Sequence, residues 1–124
     1  MNTVAVIFAL GAGLLHVAVG LMESFFFDQR GVQRFLLKKD ASPPEVSLWA
    51  FSVGFYNMFL GAGAILGVVL AGSGDEEVGR ALVLYACSFM SLCGIVLWVS
   101  DHRLWGGAVS QFTIPLVAVV ATLV

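Results

Sequence analysis

The chain has 124 residues, of which 60% are hydrophobic and 11% charged, with a net charge of −2 and a mean hydropathy of +0.98. A soluble domain carries about a quarter charged residues, so this composition excludes a water-soluble globule and makes lipid the solvent. Six basic residues against eight acidic ones build no surface for a polyanion; no nucleic-acid partner is expected, and membrane lipid is.

The first apolar run covers residues 3–27, and others follow at 47–71, 81–100 and 105–124. Each is close to the ~20 residues needed to cross ~30 Å of hydrocarbon. A lone segment satisfies its backbone in lipid only as a helix, so the prediction is an all-α integral membrane four-helix bundle forming a single transmembrane domain. No basic stretch precedes the first run and further apolar runs follow it, which marks a spanning helix rather than a cleaved signal.

Residues 28–39 place Val32, Phe35 and Leu36 against Arg34, Lys38 and Lys39, the pattern of a short interfacial helix, read as an anchor. Ser42-Pro43-Pro44-Glu45 offers a capping hydroxyl, a proline at the first helical position and an acid, and opens the second spanning helix. Ser73-Gly74-Asp75-Glu76-Glu77 does the same for the third, with acids against the positive end of its dipole. Within that helix Cys87 and Cys93 point about 240° apart and are read as packing residues, not as a disulfide or metal pair. Arg30, Arg34, Lys38, Lys39 and Arg103 fall on one side of the membrane and Arg80 on the other. By the positive-inside rule both termini lie on the outer side of a multi-pass inner-membrane protein.

Polar side chains at membrane depth are costly, and here they recur in a pattern. Gly13, His16, Gly20 and Glu23 share one face of the first helix, with His16 and Glu23 about 10 Å apart along the axis. The second helix carries Ser52, Tyr56 and Asn57, then Gly61, Gly63 and Gly67, which permit close helix approach. In the fourth, Gln111 stands one turn before Pro115, and a proline there frees the carbonyl of Gln111. All could meet in one pocket in the cytoplasmic half. The competing reading makes each of them structural: His16 bonded to a carbonyl, Glu23 paired to Arg30 or Arg103, Asn57 and Gln111 bridging helices, and Ser88, Ser91 and Thr113 bonded to their own backbone.

These residues carry a resemblance. The chain resembles domain-of-unknown-function family 1304, short bacterial membrane proteins with four predicted helices. The likeness lies in the spacing of His16 and Glu23, in Gly54-Phe55-Tyr56-Asn57 before an apolar helix, and in Gln111 near the start of the last helix. It departs where the family commonly carries an acid before the histidine, here Leu15, and an Asn-Gln pair before the glycine, here Ser52-Val53. The resemblance implies the four-helix membrane fold and no activity.

The leading functional expectation is a pocket that binds a small, largely apolar molecule and transforms it with His16 and Glu23 as catalytic acid and base. Ser52, Tyr56, Asn57 and Gln111 are the ligand-binding candidates, and no cofactor is identified. The alternatives are a proton-coupled exporter centred on Glu23, and a structural or assembly subunit that forms a homo-oligomer through Gly63-x-x-x-Gly67. A metal or haem on His16 has little support, since His102 falls in a connecting loop, and no metal is expected.

Overall fold

The computed structural model describes residues 1–39 and 43–124. It contains α1 (Thr3–Phe25), α2 (Arg30–Leu37), α3 (Pro44–Gly72), α4 (Glu76–Ser100) and α5 (Trp105–Leu123), with a 3-10 turn at His102–Leu104 before α5. Among the described residues there is no strand, and four helices are long and apolar enough to cross a membrane. The protein is an all-α membrane bundle, with α2 as a short extra helix.

Two of the spanning helices begin earlier than their apolar runs, at Pro44 rather than 47 and at Glu76 rather than 81. Pro44 fits the first helical position with its fixed φ and missing N–H. Glu45 in one first turn, and Glu76 and Glu77 in the other, sit at the positive end of a helix dipole. Polar first turns are therefore helical without being apolar. Pro43 occupies the cap position of α3; Ser42, the expected cap, lies outside the described residues. At the end of α1 the Phe26 N–H closes on Met22 O and Phe27 turns inward to 5% exposure, so the helix stops before the aromatic run does. At about 1.5 Å per residue the 29-residue α3 runs to roughly 43 Å, longer than the hydrocarbon layer. Trp49 near its start, Trp98 near the end of α4 and Trp105 at the start of α5 sit where aromatic rings favour the membrane interface.

The helices pack in the ring order α1, α3, α4, α5, with α1 and α4 diagonal. Glycines set the spacing of three of the four seams. Gly13 and Gly20 of α1 face Gly61 and Gly54 of α3, so that a Cβ on Gly20 or Gly61 would strike the facing glycine's carbonyl. Gly67 meets Gly79 between α3 and α4, and Gly94 meets Ala108 and Phe112 between α4 and α5. Gly63 has nothing near it, so in the Gly63-x-x-x-Gly67 pair only Gly67 serves a helix contact within the chain.

The main core cluster lies toward the half of the bundle that holds both termini. It is built from Ala9, Ala12, Ala64, Val83, Ala86, Cys87, Met90 and Ala118, mostly small side chains, with Met90 and Val83 the largest of them, that bring four helices together. Polar ties close that end: the Met1 amine meets Glu76 Oε1 at 2.9 Å, Asn2 Nδ2 donates to Ala121 O at 2.6 Å, and Arg80 Nη2 to Thr122 O at 2.6 Å. Both cysteines are free thiols. The opposite half, under α2, is packed less tightly.

Candidate functional site

In that half α1 and α5 part around a cavity of about 460 Å³, within the ~300–1,000 Å³ of small-molecule sites. The reason is local. The first two turns of α5 carry Gly106, Gly107 and Ser110, which have little side chain to fill the gap. A Cβ on Gly107 would meet only Leu97 Cδ2, at 3.9 Å, and one on Gly106 would meet nothing. Leu15 and Val19 of α1, Leu97 of α4, and Leu104, Ile114 and Pro115 complete an apolar wall, with Phe35 and Leu36 of α2 over its end.

His16, Asn57 and Gln111 bring polar groups to this wall. His16 is 8% exposed, and its Nδ1 lies 2.9 Å from Ala12 O. A carbonyl only accepts, so Nδ1 carries the proton and Nε2 of the neutral ring holds a lone pair. No described group hydrogen-bonds that Nε2 or the Gln111 side chain. Gln111 and Pro115 both line the cavity, so the gap that the proline leaves in the helical ladder falls on the same wall.

Glu23 does not reach the cavity surface. Its Oε1 accepts from Asn57 Nδ2 at 2.6 Å, a short charge-assisted bond that ties α1 to α3. The pairing with Arg30 or Arg103 in the competing structural reading does not form among the described residues: Arg103 grips Asp101 through Nη2 at 2.6 Å and Nε at 3.1 Å. That guanidinium holds the Asp101 carboxyl down at about 2. Glu23 and His16 share a face, as their spacing requires, but they stand about two turns apart and only His16 meets the void.

Two expected ligand-binding residues lie elsewhere. Tyr56 is 70% exposed, because it is turned about 100° from Asn57, which faces α1. Ser52, about 140° from Asn57 on the same helix, is half-buried and outside the cavity. Ser91, read as bonded to its own backbone, donates instead to Phe112 O across the α4–α5 seam at 3.1 Å, whereas Thr113 does bond its own turn at Val109 O. The wall also includes residues given no functional weight in the sequence: Phe35 and Lys38, whose amphipathic segment reads as an anchor, and Gly107 and Ser110, which no sequence motif marks. Among the described residues no three His, Cys, Asp or Glu side chains gather as a metal site, and His102 meets Trp98 edge-on, with ring centroids 4.2 Å apart.

A family model described as "Protein of unknown function (DUF1304)" matches residues 10–123. The chain belongs to that family. The matched stretch takes in α2 and the described cavity wall from Ala12 to Pro115. No curated protein and no solved structure matches the chain.

Proposed function

We propose that this protein binds a small, largely apolar molecule in the cavity between α1 and α5 and exchanges a proton with it through His16. One observation supports this above the rest: an apolar void carries two hydrogen-bonding groups, His16 Nε2 and the Gln111 amide, without described partners. A buried polar group without a partner costs about 1–3 kcal/mol, and helix-bridging residues escape that cost by pairing directly. A ligand oxygen, whether hydroxyl, carbonyl or epoxide, gives both groups a partner. Neutral His16 accepts a proton at Nε2 while Ala12 O holds the ring in place, and Gln111 orients the oxygen.

In this reading Glu23 is a positioning residue. It fixes Asn57, which lines the cavity. An exporter that trades a proton for a cationic substrate needs its carboxylate exposed to that substrate, so the placement of Glu23 behind Asn57 favours the binding reading. With five of the six basic residues at the α2 end, the positive-inside rule puts the cavity in the cytoplasmic half of an inner-membrane protein.

The test is mass spectrometry of what stays bound to the detergent-purified protein, for the wild type and for His16→Ala, Gln111→Leu and Asn57→Ala. The expected result is a small molecule on the wild type that is lost or depleted on the variants while far-UV circular dichroism stays helical. An empty wild-type cavity with the same unfolding midpoint in all four proteins would return these residues to a structural role.

A further inference from the structure

We infer that the ligand is a single-chain amphiphile ending in an anionic group, a carboxylate or phosphate, whose charge meets Lys38 at the cavity mouth while its chain lies along the α1–α5 gap. This rests on the binding reading above and names the chemical class that the site takes.

Among the described residues, Lys38 is the one formally charged side chain on a wall otherwise made of apolar and neutral polar groups. Its ammonium stands 5.4 Å from the centroid of the Phe35 ring, which is itself part of the wall, so the charge is carried at the cavity's end. Among the described residues it makes no ion pair. A cation at an apolar mouth rejects cationic guests and favours anionic ones.

The backbone adds a second observation. Lys38 closes α2 with φ 57°, ψ 31° and is the only described non-glycine residue at positive φ. Helix ends of this left-handed kind favour glycine or asparagine, so ending the helix does not by itself call for lysine.

Shape and access agree with an elongated guest. From Gly106 to Pro115 the wall extends about 14 Å along α5, from the level of α2 toward the core. Leu15, at 47% exposure, and the exposed Gly107 and Ser110 border the gap on the side that faces lipid in a membrane. A molecule already in the bilayer enters sideways without crossing water. Its head then lies beside the interfacial helix α2 and its chain at hydrocarbon depth, the orientation that it holds in the bilayer, and His16 and Gln111 meet the chain part-way along.

The experiment uses quenching of Trp98 and Trp105, which adjoin the wall residues Leu97 and Leu104, by doxyl-labelled stearate in detergent. Palmitate, hexadecyl phosphate and methyl palmitate serve as competitors. Two variants accompany the wild type. Lys38→Asn removes the charge with a residue at ease in the left-handed conformation, and Gly107→Phe fills the cavity from a position where only Leu97 approaches. The wild type should bind the better anion about tenfold more tightly than the ester, the scale of one charge-assisted hydrogen bond. Lys38→Asn should erase that preference, and Gly107→Phe should weaken all three. Preference for palmitate would point to free fatty acids and preference for hexadecyl phosphate to phospholipid-derived heads; either supports the proposal. Equal wild-type affinity for anions and ester, with Gly107→Phe still weakening both, overturns the anionic assignment and leaves the binding site standing. Quenching that is absent, or indifferent to Gly107→Phe, overturns both.

Discussion

Replacing Gly54 by alanine tests whether the α1–α3 seam holds the site together. An added Cβ would lie 2.5 Å from Gly20 O and 2.8 Å from Ser24 N, and it would also strike Ser24 Oγ. Ordinary contact begins near 3.4 Å, so α1 must retreat by about 3.4 − 2.5 = 0.9 Å. A gap of that size forfeits a quarter to a half of the dispersion attraction at each affected contact. It also threatens the bond from Ser24 Oγ to Phe51 O, at 2.8 Å, and the Asn57–Glu23 bond one turn away. Overpacking of this kind costs about 1–3 kcal/mol. Helices that separate within a bilayer or micelle remain helical, so alanine's better helix propensity offsets little of this loss. Gly63→Ala is the control, because nothing lies within 4 Å of its Cβ, and its expected change is near zero. The assay is unfolding in mixed micelles with increasing denaturing detergent, followed by tryptophan fluorescence. Gly54→Ala should unfold at a lower detergent fraction than the wild type and Gly63→Ala alongside it. If the two variants shift equally, the seam does not depend on the Gly20–Gly54 contact.

Ser91→Ala should destabilise the α4–α5 seam by about 0.6 kcal/mol, the average for an interhelical hydrogen bond in a membrane protein; Thr113→Ser, which keeps the bond to Val109 O, should change little in the same micelle titration. Reporter fusions should place both termini outside and the 28–39 and 101–103 connections in the cytoplasm. A cytoplasmic C-terminus would reverse the bundle and move the cavity to the outer leaflet.

The helices were legible because lipid leaves a spanning chain few options, and the facing of α1 was legible because Gly13, His16 and Gly20 repeat at helical spacing and are buried together. The α3 face was harder to read. Tyr56 and Asn57 are adjacent and both polar, but only one can face α1, and the choice follows from Gly54 and Gly61, three and four residues to either side of Asn57, locking that face against α1. A glycine motif read by spacing alone singles out Gly63 and Gly67, whereas the α1–α3 contact uses glycines seven residues apart on both helices, Gly13 with Gly20 and Gly54 with Gly61. The cavity itself left no positive mark in the sequence. It is made by what Gly106, Gly107 and Ser110 lack, and its roof comes from a segment whose amphipathic pattern equally describes a helix lying on the membrane.

Helix bridging and site formation, which the sequence presents as rival accounts of the same residues, are divided among them by the structure. Glu23 and Asn57 pair directly and bridge α1 to α3, so changing either disturbs stability and the cavity wall together. His16 and Gln111 stand on the far side of that pair with hydrogen-bonding capacity left over, and changing them disturbs the wall while leaving the bridge intact. The division follows from where the small residues lie. Alanines and glycines draw the terminal half and the α1–α3 seam into contact, which fixes Glu23 against Asn57. The glycines at the start of α5 have no opposing partner and leave a space there. A tight half gives the loose half fixed walls, so the void between α1 and α5 persists without a side chain to fill it, and the polar groups on its surface keep the geometry that a ligand would meet.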